Sequence, residues 1–152
     1  MKSARFLLLS AVILLQLGCI SCSNSGAKPL NPNGDSELAL LMREMHDDGM
    51  RTKKQLLEGK TPTINVKYEK LTTAAATEPE KAASPEYAAY ATIYETAVKN
   101  FLERSGNTQV ESYTSMVNAC MNCHQQICPG PMVKIKKMYL SEKEIASLGL
   151  GE

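Results

Sequence analysis

Cys120-Met121-Asn122-Cys123-His124 sets two thiols and an imidazole within five consecutive residues. On a helix, residues three apart share a face, so both sulfurs can meet one edge of a flat group while the adjacent imidazole swings beneath it. This is the Cys-x-x-Cys-His spacing of haem attachment, in which two thioethers form with the vinyl groups of one porphyrin and the histidine binds iron. The expectation is one covalently bound haem c per chain, held by Cys120 and Cys123, with His124 as proximal iron ligand.

Three other uses of these residues compete. A thioredoxin-like redox pair wants a parallel sheet and a helix that starts at the cysteines, whereas here the motif falls late in a helical pattern. A zinc site could draw on Cys120, Cys123, Cys128 and either His124 or His46, but no second Cys-x-x-Cys knuckle accompanies it. Simple burial of cysteines is the third.

The elements that must position the motif fit a modest chain. Its 152 residues suit one small domain, 43% hydrophobic and 22% charged, with no Trp and two Phe against eight Met. A core so poor in aromatics leaves volume that an apolar cofactor could fill. Net charge is +1, and without Lys2 and Arg5 there remain 15 basic side chains against 16 acidic ones, which argues against a nucleic-acid partner.

Lys2 and Arg5 precede an apolar run from Phe6 to Leu17, too short to span a bilayer and built like an export signal. Leu17-Gly18-Cys19-Ile20-Ser21-Cys22 resembles a bacterial lipobox at either cysteine. Ile20-Ser21 favours Cys22 as the acylated residue, while Cys19 keeps the better spacing to the apolar run, and a cleaved signal without lipid is the alternative. The expected order is a signal peptide over 1–21, a flexible tether over 22–34, a helical bundle over 35–131 and a tail over 132–152 with a short helix. An exported, periplasmic, membrane-anchored protein follows, and covalent haem attachment also takes place outside the cytoplasm.

The first helix is predicted from a cap at Asp35 or Ser36 to about Leu57, with Leu38, Leu41, Met42, Met45, Gly49, Thr52 and Leu56 on its apolar stripe. Thr61 to Thr77 reads as an extended crossing followed by a short helix, and Glu78 to Ala83 as a loop. Ser84-Pro85 opens the next helix, whose stripe is Tyr87, Ala91, Tyr94, Val98 and Phe101. Thr108 to Glu111 forms a capping box for the last long helix, which presents Val110, Tyr113, Val117, Cys120, His124 and Ile127 until Pro129-Gly130-Pro131. A second capping box, Ser141 to Glu144, predicts the terminal helix. The predicted fold is all-α, an antiparallel four-helix bundle with a shortened second helix.

An attachment motif on the last helix of a bundle resembles the class II c-type cytochromes, the cytochrome c′ group, over roughly residues 35–128. The similarity is carried by Cys120, Cys123 and His124, and by the Leu-Leu-Glu-Gly-Lys ending of the first helix. It departs after His124, where Gln125 and Gln126 stand in place of the usual basic residues, and in the second helix. The resemblance implies that a residue of the first helix covers the sixth iron position, and it allows a homodimer. Met42 is the first candidate there and Met45 the second, each with core packing as its ordinary use, while His46 is expected on the solvated surface.

A thioether on iron raises the potential and closes the metal, which suits a one-electron carrier with no enzymatic activity. A five-coordinate iron would instead bind NO or CO. A peroxidase would also need a distal acid-base group, for which only His46 is near. Lys134, Lys136 and Lys137 are candidates for docking an acidic redox partner.

Overall fold

In the computed structural model, residues 34–150 are described, so Cys19, Cys22, the signal and nearly all of the tether lie outside the described residues. Helix α1, Glu37–Leu57, starts where Ser36 accepts the Ala39 N–H. It stops at Gly59, whose φ of 63° lets the Lys60 N–H turn back to the Gln55 carbonyl at 2.9 Å. A crossing then leads to a 3₁₀ turn, Tyr68–Thr72, and to a single helical turn α2, Pro79–Ala82. Helices α3, Pro85–Glu103, and α4, Gly106–Gln126, follow, then α5, Met132–Ile135, a second 3₁₀ turn, Lys136–Met138, and α6, Glu142–Ser147. The described residues are mostly helical and contain no strand.

α3 and α4 are the most closely packed pair. Only Arg104 and Ser105 separate them, and Gly106, with φ 58°, turns the chain back on itself, so Phe101 meets Tyr113 edge-on with centroids 6.1 Å apart. The same glycine overturns the expected cap. The helix begins two residues before Thr108, whose hydroxyl donates to the Ser105 carbonyl at 2.9 Å. The five predicted stripe residues of α3 are all buried. On α4 the buried set is Tyr113, Met116, Val117, Ala119 and Met121, so the core-facing sector is wider than the predicted stripe.

The crossing is stitched to α1 by polar groups rather than by a helix. Asp48, 4% exposed, accepts the Asn65 N–H on both carboxylate oxygens and pairs with Arg51. Thr52 donates to the carbonyl of Thr63, and Ile64, Val66 and Tyr68 alternate inward from there as the extended reading requires. The helical portion is shorter than expected, a 3₁₀ turn ending at Thr72, and the predicted loop over Glu78 to Ala83 holds one helical turn because Pro79 is preset for a first helical position.

The tail is part of the core. Ile135 is 5% exposed and Met138 2%. The buried hydroxyl of Tyr113 is shared between the carbonyls of Met138, at 2.8 Å, and Gly49, at 3.2 Å, so three elements meet at one side chain. A Cβ at Gly49 would run into Met138 Cε. Gly49→Val should therefore lower stability by about 1–3 kcal/mol through overpacking. Met138→Ala should recover part of that loss, so denaturant titration of the double variant should give a non-additive sum.

α6 opens on the predicted capping box and is tied to α1 by Lys53, 3.0 Å from Glu144. The backbone N–H of Ser141 and the Lys53 ammonium hold the Glu144 carboxyl at about 2, below its ordinary 4.5. Unfolding therefore takes up a proton between those values, and this contribution is present above pH 4.5 and lost as pH falls toward 2. Glu144→Gln should be less stable than the parent chain near neutral pH, and the gap should close across that window in acid-titrated melts.

Candidate functional site

Cys120 and Cys123 sit one turn apart on α4, and His124 follows at its last turn. All three line one cleft, with an enclosed space of about 30 Å³. Met42 and Met45 of α1 line it too, with Leu71 of the first 3₁₀ turn and Tyr87, Tyr90, Ala91 and Tyr94 of α3. The five site residues expected from sequence therefore meet at a single place. Met45 is buried and Met42 half-buried.

Small residues open this space. Ala91 and Ala119 line it from α3 and α4, where larger side chains would close it. The walls of the cleft are almost wholly apolar, so any group seated there would have to be apolar as well. Leu71 is fixed there because Tyr87 donates to its carbonyl at 2.7 Å. Leu71, Tyr90 and Ala119 have no chemical signature, and sequence reading missed them. The one available signal was the pairing of alanines with cysteines and tyrosines on facing stripes.

Burial keeps both thiols protonated near neutral pH and slow as free nucleophiles. Burial, with a smaller push from Cys123, raises the Cys120 thiol to about 12. Burial, with a push from Cys128, raises Cys123 to about 11. Burial lowers the His124 imidazole below its ordinary value, against a smaller opposing pull from the Cys128 carbonyl 2.8 Å away, so the ring is neutral near pH 7. A neutral imidazole is the form that binds a metal.

Other candidates lie elsewhere or differ from expectation. His46 is not a solvated surface residue: its side chain is 24% exposed, Nδ1 lies 3.0 Å from Asp47, and Nε2 is buried without a partner. Position 46 follows the buried Met45, at the edge of the stripe, which is close enough for the ring to fold inward. Cys128 is half-buried beside the Pro129 turn. Lys134, Lys136 and Lys137 are exposed. Among the described residues no three His, Cys, Asp or Glu side chains converge to hold a metal ion, and no helix is long and apolar enough to cross a membrane.

The shifted thiols can be tested directly. In chain with both thiols free, Cys123 should alkylate at pH 7 roughly 100-fold more slowly than an exposed cysteine, with Cys120 slower still. The Cys123 rate should rise until about pH 11 and the Cys120 rate until about pH 12, as read by peptide mapping. Comparison of the chain with family models, with curated proteins and with solved structures finds no match.

Proposed function

We propose that this chain is a monohaem c-type cytochrome that carries single electrons and catalyses no bond-making reaction. The observation that supports this reading best is the meeting of Cys120, Cys123, His124, Met42 and Met45 at one apolar cleft. Cys120 and Cys123 would hold the porphyrin through thioethers, and His124 would ligate its iron. When bound, the haem supplies a one-electron couple. Met42, with Met45 one turn on, would supply a thioether to the sixth position, which favours ferrous iron and closes it to exogenous gases. Apolar walls beside the haem would further disfavour the more highly charged oxidised state.

The architecture supports the resemblance in reduced form. We read α1, the Tyr68–Thr72 turn, α3 and α4 as an antiparallel four-helix bundle in which the second helix has shrunk to a 3₁₀ turn. A lipid on Cys22 or Cys19 would tether the protein to a membrane facing the periplasm, with the residues before Ser36 as spacer. Lys134, Lys136 and Lys137 would meet an acidic redox partner, since complementary charge speeds encounter.

Full-length chain made in a host competent for cytochrome maturation should keep the added mass of one haem after denaturation. A chain without that mass rejects the proposal. In the oxidised protein, Met42→Ala should abolish the thioether charge-transfer band at the red end of the visible spectrum. A high-spin spectrum in the unaltered chain would instead favour the gas-binding reading.

A further inference from the structure

We infer that the main-chain carbonyl of Cys128 is the positioning group for the iron-binding imidazole, and that the turn Cys128-Pro129-Gly130-Pro131 thereby tunes the potential of the site. This inference rests on the haem reading above. His124 Nδ1 lies 2.8 Å from the Cys128 carbonyl oxygen. A carbonyl oxygen only accepts, so the contact assigns the ring proton to Nδ1 and leaves the Nε2 lone pair for a metal. A ring N–H held in this way fixes the ring's orientation and strengthens the opposite nitrogen as a base. A more basic ligand favours ferric iron and lowers the potential.

The acceptor is fixed from both sides. Before it, the Ile127 N–H still donates to Cys123 at 3.0 Å, so helical order reaches the residue next to Cys128. After it, Pro129 disfavours helical backbone at Cys128 and turns the chain away from the helix. Met132 then closes the turn onto the Pro129 carbonyl at 3.2 Å, and Lys134 and Ile135 donate to Pro131 at 2.8 and 3.1 Å. Ile135 is itself buried in the core. A tail residue thus holds the turn, the turn holds the carbonyl, and the carbonyl holds the ring.

The test uses full-length, haem-loaded protein and two readouts, exchange of the His124 Nδ1 proton in the ferrous state by NMR and the midpoint potential. The native Nδ1 proton should exchange at least tenfold more slowly than that of free imidazole. A Pro129→Gly/Pro131→Gly double variant should speed that exchange. It should also shift the ferrous-to-ferric equilibrium toward ferrous by about tenfold, which is about 59 mV for one electron. A native proton that exchanges as fast as free imidazole overturns the inference even if the double variant fails to fold. Faster exchange at an unchanged potential overturns the tuning. If the chain carries no haem, the tuning falls with the cytochrome reading, and nitrogen shifts of the His124 ring decide the hydrogen bond alone: an Nδ1–H tautomer keeps it and an Nε2–H tautomer removes it.

Discussion

The packing of α3 against α4 governs the rest of the molecule. Because only two residues connect them, their stripes are locked in register from Phe101 and Tyr113 at the turn to Tyr87 and Cys123 at the far end. Near the turn the side chains are large and exclude solvent completely, as at Val98, Phe101, Tyr113 and Val117. Farther along, Ala91 and Ala119 replace bulk with space. The same interface is therefore a solid core at one end and a cleft at the other, and the close-packed end holds the open end in shape.

α1 and the tail complete this arrangement with different forces. α1 contributes Met42 and Met45 to the cleft while its opposite edge spends polar groups on the crossing, through Asp48, Thr52 and Gln55. The tail enters by way of Tyr113, Met138 and the Lys53–Glu144 pair. Two buried hydrogen-bonded anchors thus flank a site that itself has almost no polar atoms. Rigidity around an apolar cleft comes from its neighbours.

What could be read from the residues depended on how local the cause was. The Ser36 cap, the α3 stripe and the Ser141 box follow from spacing within one or two helical turns, and all appear as expected. The Cys-x-x-Cys-His spacing was legible because it too is local. Asp48 was not, since its burial is compensated by Asn65, 17 positions away. Thr108 carried a valid capping pattern that lost to the left-handed backbone of Gly106. The cleft depends on what is missing at Ala91 and Ala119, and a small side chain gives no signal until its neighbour across the interface is known. The lysine-rich stretch likewise conceals Ile135 and Met138, whose burial depends on contacts with α1 and α4.

The position of those tail residues has a consequence for biogenesis. Ile135, Met138 and Glu144 all follow Cys120, Cys123 and His124 in the chain, so as the polypeptide is made from its N-terminus, the site emerges before the residues that seal its surroundings. Until they arrive, Gly49 lacks its covering methionine and Tyr113 lacks one of its acceptors. The thiols thus pass through a loosely enclosed stage, and docking of the last segment ends it.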